Sequence, residues 1–330
     1  MKLGLFLSAQ FPPETSAEDG LAAVVEQAQL ADELGFDSIF LGHHYLARSA
    51  FLQPLTLAGY LARATERVKI GFGVLVAPLL NPLALAEELA TLDVLSGGRI
   101  IAGFGAGYRK VETEAFGVEW EDRLRRLRSY VPILRALWRG EPVTAEGSWG
   151  RLENARLTLR PVQPGGPPIW LGALQPGGIK RAAAVDATWM IGPEGDDAAL
   201  AERLAFYRDA LTAAGHSLDR PYPLAREAAI AATTDEAVEL IRPHLAAQYA
   251  GYKSWDAAQA IDVDTFIRTH SLVGDAQTIL ARLETLERDL GITQVSVRLQ
   301  FMGMPHQQAL EAIQRFGEDV VPALGARASF

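Results

Sequence analysis

Two adjacent histidines, His43 and His44, are the residues of this sequence whose types and spacing first suggest chemistry. They follow a short apolar segment, residues 38–41, which is typical of a β-strand. An imidazole exchanges its proton near neutral pH, so a histidine at a strand end can act as a general acid or base. Packing beneath a loop is an equally good interpretation. The sequence predicts no metal site, because the other histidines are scattered (His216, His244, His270 and His306).

Glycines interrupt two apolar segments further along the chain. Gly73, followed by Val74, lies within residues 68–76, and Gly105 lies in a Gly-Phe-Gly-Ala-Gly run after residues 100–104. A glycine inside a buried strand often marks a place where a ligand or another backbone approaches closely. The pattern therefore suggests room for a flat cofactor ring, with tight packing as the alternative. The second run is a poor match to a dinucleotide-binding loop, because its spacing and its place in the chain are wrong.

A loop of small residues, 172–178, follows another short apolar segment and leads directly into Lys180 and Arg181. Backbone N–H groups at the start of a helix, together with the helix dipole, form a site for an anionic phosphate. Gly172, Ala173, Gly177 and Gly178 are the candidate residues of that site. A glycine-rich turn with solvated basic residues is the alternative. The sequence contains no Walker, His-Glu-x-x-His or Gly-x-Ser-x-Gly motif, which argues against nucleotide hydrolases, zinc proteases and α/β-hydrolases.

The elements that position these residues alternate between short apolar segments and longer segments of helical period. The expected strands cover residues 3–8, 38–41, 68–76, 100–104, 169–171, 188–191, 224–231 and 294–299. The expected helices cover residues 16–34, 82–95, 123–138, 177–185, 197–213, 234–247, 275–290 and 307–321. Eight strands that each lead to a helix predict an α/β fold, a single (β/α)8 TIM barrel. A doubly wound open sheet is the alternative, and the active site of a barrel is expected at the carboxyl ends of its strands.

Two segments depart from this alternation. Residues 141–166 carry glycine, proline and short alternating runs, and are interpreted as an insertion that contains a hairpin after strand 4. Residues 250–273 are interpreted as a second insertion before strand 8. No linker divides the chain, so residues 1–330 are expected to form one domain.

Composition limits the classes of function. The chain has 31 Lys and Arg against 40 Asp and Glu, for a net charge of −9, which argues against a nucleic-acid partner. It has no cysteine, which excludes disulfides, thiolate catalysis and thiolate-held metal clusters. No apolar run is long enough to span a membrane and the N-terminus is not typical of a signal peptide, so a cytoplasmic protein without a membrane partner is expected.

Several longer motifs give a resemblance to a known family. They are ADELGFDSIFLGHH at residues 31–44, Asn81-Pro82, ATLDVLSGGRI at residues 90–100, Arg160-Pro161, PIWLG at residues 168–172, and Phe316 with VVPAL at residues 320–324. Together they resemble the bacterial-luciferase-like monooxygenases over nearly the full chain. The resemblance implies a (β/α)8 barrel that binds reduced FMN or, in related branches, 8-hydroxy-5-deazaflavin. It also implies a separate NAD(P)H:flavin reductase, dioxygen as a reactant, a small organic substrate and a homodimer.

The resemblance also implies roles for individual residues. His43 matches a histidine placed beside the reactive edge of the flavin as a proton donor or stabiliser. Gly73 and Val74 match a non-prolyl cis peptide behind the ring, the loop that contains Gly172 matches the phosphate-binding loop, and Trp189 matches a tryptophan near the flavin. Two departures stand out, because Gly42 replaces an acidic residue and Ala106 replaces a phosphate-contacting arginine.

Three hypotheses follow from the sequence. The leading one is a flavin-dependent monooxygenase that acts on a small, fairly apolar compound, with Phe6, Tyr45 and Tyr108 as candidate substrate contacts. The second is a deazaflavin-dependent hydride transfer, for which Arg109-Lys110 and Lys180-Arg181 offer few cations. The third is a non-catalytic flavin-binding barrel. For the leading hypothesis, replacement of His43 by alanine is expected to keep the fold and lower turnover by ~10²-fold or more.

Overall fold

The computed structural model describes residues 1–253 and 262–327 and shows an α/β fold around one large parallel sheet. The strands are β1 (Lys2–Leu7), β2 (Gln10–Phe11), β3 (Ser38–Leu41), β4 (Ala50–Phe51), β5 (Lys69–Phe72), β6 (Leu75–Val76), β7 (Ile100–Gly105), β8 (Val143–Gly147), β9 (Gly150–Ala155), β10 (Ile169–Gly172), β11 (Thr188–Met190), β12 (Pro223–Ile230), β13 (Leu272–Gly274) and β14 (Gln294–Arg298). The expected strand 68–76 is therefore two strands, separated at Gly73 and Val74.

Helices follow most of the strands of the large sheet. They are α1 (Ala17–Glu33), α2 (Pro54–Ala64), α3 (Pro82–Ser96), α4 (Lys110–Ala115), α5 (Arg123–Arg139), α6 (Pro176–Ala184), α7 (Asp197–Ala213), α8 (Thr234–Lys253), α9 (Val263–His270), α10 (Ala276–Leu290), α11 (His306–Asp319) and α12 (Val321–Arg327). Local signals fix several ends. The Ser16 hydroxyl accepts from the Asp19 N–H at the start of α1, and Asn81 caps α3 ahead of Pro82.

From β1 to β11, the strands of the large sheet lie beside one another in chain order. Neighbours in the sheet run β11-β10-β7-β5-β3-β1-β14-β12-β13, with β6 also paired to β7. From β1 to β11 the order follows the chain without the reversal that is typical of a doubly wound sheet. The sheet curls until Ile191, just after β11, forms an isolated parallel bridge with Leu224. There Ile191 donates to the Pro223 carbonyl at 3.0 Å and accepts from the Ala225 N–H at 2.9 Å.

Side-chain alternation along the strands builds two apolar layers. The larger core lies between the sheet and the helices, and Leu5, Leu41 and Phe72 belong to it. A smaller cluster on the concave face contains Phe40, Ile101, Trp170 and Met190, packed with Phe6 and Val74. The Phe40 and Trp170 rings stack with centroids 5.5 Å apart. This second cluster fills the inside of the curl, below the carboxyl ends of the strands.

The two segments that interrupt the alternation differ in how far they are described. Within residues 141–166, β8 and β9 pair as an antiparallel hairpin. Of residues 250–273, the structure describes the end of α8, all of α9 and part of β13, and residues 254–261 lie outside the described part. Among the helices of the described residues, none is long and apolar enough to cross a lipid bilayer.

Candidate active site

A cavity of about 570 Å³ opens at the carboxyl ends of the parallel strands. Most of the site residues predicted from the sequence line it: Phe6, Gly73, Val74, Gly105, Tyr108, Gly172, Ala173, Gly177 and Gly178. Its lining does not include His43, Tyr45 or Trp189. Within the described residues, no cluster of three or more His, Cys, Asp or Glu side chains could hold a metal ion.

One side of the cavity, here called the glycine wall, is formed by Gly73, Gly105 and Gly172. The Gly73–Val74 peptide is cis, at the position that the family resemblance implies. A Cβ on Gly105 would overlap the Val74 side chain, and a Cβ on Gly73 would lie 2.9 Å from the Met190 methyl carbon. The absence of side chains at Gly105 and Gly172 makes room for the Val74 side chain, and at Gly73 for Met190 and Phe6. Val74 and the backbone of the three glycines therefore form the surface against which a planar ring would lie.

Trp189 supports the neighbouring loop from behind. It is 1% exposed and belongs to the core between sheet and helices. Its indole N–H donates to the Ala173 carbonyl at 2.9 Å, which ties the loop that lines the cavity to β11. The geometry gives Trp189 a structural contact with the loop rather than a place in the cavity.

His43 points away from the cavity. Leu41 belongs to the outer core and Phe40 to the concave cluster, and a Cβ on Gly42 would meet Phe6 on the concave side. Continuing this alternation places His43 on the outer face and His44 on the concave face. His43 accordingly lines a separate cavity between α2 and α3, together with Tyr45.

Burial favours the neutral form of His43. It is 4% exposed, and its Nδ1 accepts from the Val76 N–H at 3.1 Å. Burial, and then the nearby His44, lower the pKa of His43 to about 4. Since Nδ1 is an acceptor, any proton that the neutral ring carries is on Nε2. His43 therefore lies outside the lining of the large cavity, and the role that the resemblance implies for it stays a prediction.

His44 makes the contacts at the cavity edge. Its Nε2 lies 3.0 Å from the hydroxyl of the cavity-lining Tyr108, and its Nδ1 lies 3.2 Å from Glu112 Oε1. Burial would raise the pKa of Glu112, but hydrogen bonds from His44 and the Tyr45 N–H and the charge of Arg109 hold it below its usual value. With Glu112 ionised, Nδ1 of His44 donates to it, and Nε2 accepts from Tyr108.

Sequence reasoning missed Glu112. The missing acid at Gly42 indicates that an orienting carboxylate must come from elsewhere, but it does not indicate where. The structure supplies it from the short helix α4, and it orients His44 rather than His43. Glu112 Oε1 also accepts from Arg109 at 2.7 Å.

The side of the cavity near α5 and α6, here called the cationic end, contains Gly177, Gly178, Arg123 and Arg181. Arg123 stacks on Trp120, with its guanidinium carbon 3.4 Å from the ring centroid, and its buried Nε has no hydrogen-bond partner. Among the residues that the structure describes, neither arginine forms an ion pair within 4.0 Å, although Glu121 acts on Arg123 through its charge. Burial lowers the pKa of both arginines. This arrangement fits an anion at the N-terminus of α6.

Of the two basic residues that the sequence suggested for the anion, only one reaches the cavity. Arg181 lines it, whereas Lys180 is exposed and does not. Arg123, which the sequence did not single out, is the second. It lies at the start of the amphipathic helix α5, which contains several other arginines. No local signal in the sequence distinguished it from them.

The side formed by β12 and β14, here called the acid–arginine end, contains Glu227, Arg298 and Ser296. Glu227 and Arg298 are register partners on the two strands, with Arg298 Nε 3.6 Å from Glu227 Oε2. Burial raises the pKa of Glu227, an effect that the Arg298 charge opposes. These charged residues were not identified from the sequence either.

The chain is similar to several known proteins. A family model described as luciferase-like monooxygenase matches residues 1–294. The 5,10-methylenetetrahydromethanopterin reductase of Archaeoglobus fulgidus is 29% identical over 90% of this chain and 94% of its own. The oxygenase component of the flavin-dependent trigonelline monooxygenase of Acinetobacter baylyi is 24% identical over 98% and 95%.

Two further comparisons extend this range. An F420-dependent glucose-6-phosphate dehydrogenase of Microbacterium testaceum is 32% identical over 64% of this chain and 62% of its own. The crystal structure of the monooxygenase RslO1 from Streptomyces bottropensis superposes with a TM-score of 0.88 at 26% identity, covering 98% of this chain and all of that one. Relatives of the chain are therefore oxidoreductases that include both flavin-dependent and F420-dependent enzymes.

Proposed function

This chain belongs to the luciferase-like monooxygenase family, and we propose that it is a flavin-dependent monooxygenase. In this proposal it takes reduced FMN from a separate NAD(P)H:flavin reductase and uses dioxygen to oxygenate a small organic substrate. The reductase partner is supported by the relative that is an oxygenase component. The monooxygenase assignment is supported by the similarity to RslO1.

The observation that carries the proposal is the shape and charge of the cavity. It combines a glycine wall with a cationic end that holds two arginines and the amide groups at the start of α6. A flat ring with an anionic tail matches both features. Arg123 and Arg181 would hold the phosphate, and the buried Nε of Arg123 would gain a hydrogen-bond partner.

The residues of the chain have distinct parts in the proposed reaction. Bound reduced FMN would supply the electrons that activate dioxygen. Val74, Phe6 and Met190 give the cavity an apolar surface near the glycine wall, which limits the access of water. Tyr108 holds a proton at the cavity edge, and His44, oriented by Glu112, can accept it.

The choice of FMN over the deazaflavin rests on the cations at the mouth. A deazaflavin carries a longer, more anionic tail and needs more positive charge there. Arg109 is 7% exposed and bonded to Glu112 and the Tyr45 carbonyl, and the exposed Lys110 pairs with Glu114 at 3.6 Å. Those two cations are already engaged, which leaves the two arginines of the cationic end for a single phosphate.

The test is an anaerobic titration with reduced FMN, followed by mixing with oxygenated buffer. We expect micromolar binding and a flavin absorbance transient that free FMN does not show. A parallel titration with reduced 8-hydroxy-5-deazaflavin coenzyme separates the cofactors, because tighter binding of that cofactor would contradict the FMN assignment. Tight binding of FMN without any oxygen-dependent transient would instead support the non-catalytic barrel.

We also propose that the curled sheet closes into the (β/α)8 barrel and that residues 1–330 form one domain. The Ile191–Leu224 bridge supports closure, because it joins the end of β11 to β12, the two strands between which the barrel would close. The homodimer and the cytoplasmic location remain predictions from the sequence.

A further inference from the structure

The acid–arginine end contains a pair of oppositely charged side chains on the inner face of two neighbouring strands. Glu227 in β12 and Arg298 in β14 lie opposite each other in register, and their side chains are 4% and 18% exposed. Both line the cavity, and Arg298 is the last residue of β14, at the carboxyl end where barrel enzymes place the groups that touch their ligands. Arg298 is therefore placed to meet whatever occupies this side of the cavity.

The position of the Arg298 guanidinium is fixed on two sides. Its carbon lies 4.4 Å from the centroid of the Phe6 ring, and its Nε lies 3.6 Å from Glu227 Oε2. A guanidinium that is stacked and paired in this way loses less conformational freedom when it binds a further group. Phe6 itself contacts the concave cluster and lines the cavity beside Gly73, so Arg298 borders the space next to the glycine wall.

Two polar atoms at this end are buried without a hydrogen bond in the described part of the chain. They are Glu227 Oε2 and Ser296 Oγ. An unsatisfied buried polar group is destabilising, and a purely aliphatic ligand would leave both atoms as they are. A ligand with an acceptor group would give the Ser296 hydroxyl a partner, whereas Glu227 Oε2 already faces the Arg298 guanidinium. This observation argues against the fairly apolar substrate that the sequence suggested.

The positive charge that an anion would meet at this end is that of Arg298. Arg226, one residue before Glu227, alternates to the other face of β12, where Arg282 and Asp197 are its charged neighbours. Glu194 and Glu227 also line the cavity, but burial raises the pKa of both carboxyl groups, which disfavours their negative form. The repulsion that an anion meets on its approach to Arg298 is reduced accordingly.

We infer that the acid–arginine end selects a substrate that carries a carboxylate on an otherwise apolar body. The carboxylate would bind the Arg298 guanidinium and the Ser296 hydroxyl, and the apolar body would lie over Phe6 and Met190 towards the glycine wall. Arg298 is then a specificity-determining residue. This inference rests on the proposed function for the assignment of the glycine wall and the cationic end to the flavin.

Pairs of ligands that differ only in charge test the inference. Benzoate and phenylacetate, with benzamide and phenylacetamide as neutral counterparts, are titrated by calorimetry into the full chain saturated with oxidised FMN, and into the flavin-free chain. We expect at least one carboxylate to bind about tenfold or more tightly than its amide, as a charge-assisted hydrogen bond predicts. Equal binding of acid and amide in both pairs, or no binding of either acid, overturns the inference.

Variants of Arg298 test whether this residue causes the preference for carboxylates over amides. Arg298→Gln is expected to abolish the difference between acid and amide while FMN binding is kept, and Arg298→Lys is expected to retain part of it. Arg139→Gln, which removes an exposed arginine paired with Glu141 far from the cavity, is the control and should change neither. A preference that survives Arg298→Gln with unchanged strength contradicts the assignment. If Arg298→Gln does not fold, Arg298→Lys decides, since it must then weaken the carboxylate more than the amide.

The two proposals fail in different ways. A chain that binds FMN but does not distinguish acid from amide contradicts only the substrate assignment. A chain that binds no FMN, yet prefers carboxylates through Arg298, contradicts the proposed function and leaves the anion site in place.

Discussion

The two histidines after β3 show how strongly one residue's position depends on strand alternation. His43 lies on the outer face with its Nδ1 bonded to the Val76 N–H, and His44 contacts Tyr108 at the cavity edge. The sequence identified the pair but could not assign the face, because β3 is buried on both sides and has no polar alternation to set its phase. Variants of His43 therefore test mainly its contribution to stability, and variants of His44 test its role at the cavity edge.

We expect His44→Ala to lower turnover by ~10²-fold or more, because it removes the acceptor of the Tyr108 proton. His43→Ala is expected to cost about 1–3 kcal/mol of stability, because the Val76 N–H loses its buried acceptor, with a smaller effect on turnover. Steady-state kinetics and thermal unfolding of both variants check this. Loss of turnover in His43→Ala with stability and flavin binding intact would restore the role that the family resemblance implies for His43.

The depressed pKa of His43 predicts a pH-dependent stability. In the folded chain its pKa is about 4, against an ordinary value of 6.5, so the unfolded chain binds the extra proton between these values. The resulting stability is present in full above pH ~6.5 and is lost as the pH falls towards ~4, by at most about 3 kcal/mol. His43→Asn keeps an acceptor for Val76 but does not titrate. Urea unfolding from pH 7.5 to 4.5 should show a steeper loss in the parent than in this variant, and parallel curves would contradict the assignment.

Arg123 is expected to recognise phosphate rather than the flavin ring. Arg123→Gln should weaken FMN binding about tenfold or more and leave riboflavin binding unchanged, because riboflavin lacks the phosphate. Arg125→Gln is a matched control, since Arg125 lies two residues along the same helix, is 76% exposed and pairs with Asp122. Fluorescence titrations with both flavins measure the four affinities. Equal weakening of FMN and riboflavin would assign Arg123 to the ring or to the fold.

At the scale of the elements, the strand ends determine the site more than any loop sequence does. The glycine wall and the loop before α6 could be predicted, because glycines in buried strands and before a helix are local signals. The acid–arginine end could not, although Gln294, Ser296 and Arg298 alternate with valines in β14. That alternation usually indicates a solvent-exposed face, and only the curl of the sheet shows that this face is the inside of the cavity.

The glycine wall predicts an asymmetric response to added methyl groups. Gly105→Ala should weaken FMN binding and cost about 1–3 kcal/mol of stability, because its Cβ would overlap the Val74 side chain. Gly59→Ala is the control in helix α2, where the nearest side-chain atom would be 3.5 Å away, and it should stabilise by about 0.5–1 kcal/mol. Chemical denaturation and FMN titration measure both effects. Normal flavin affinity in Gly105→Ala would contradict the placement of the flavin ring against the glycine wall.

At the scale of the whole molecule, the order of elements could be predicted from the sequence, whereas the closed barrel that the eight βα units predict remains a proposal. The βα rhythm sets which strands are neighbours, since each helix returns the chain beside the strand before it. Closure depends instead on a single bridge between residues far apart in the chain. No local pattern encodes that contact.

A closed sheet predicts slow amide exchange at the bridge. The N–H groups of Ile191 and Ala225 donate across it at 3.0 and 2.9 Å. They should exchange with solvent deuterium as slowly as the amides in the centre of β1 and β3, because all of them open only with the whole sheet. Hydrogen-exchange mass spectrometry at neutral pH measures this. Exchange at the two amides as fast as in exposed loops would indicate an open edge.

The single carboxylate oxygen Glu112 Oε1, which accepts from the Tyr45 N–H, His44 and Arg109, ties two distant stretches of chain to one atom. Substitutions at these positions should therefore not be additive in a double-mutant cycle, since the first change already alters the partner of the second. An exchange of one of these residues from a relative into this chain is therefore expected to do more harm than an exchange of the whole set.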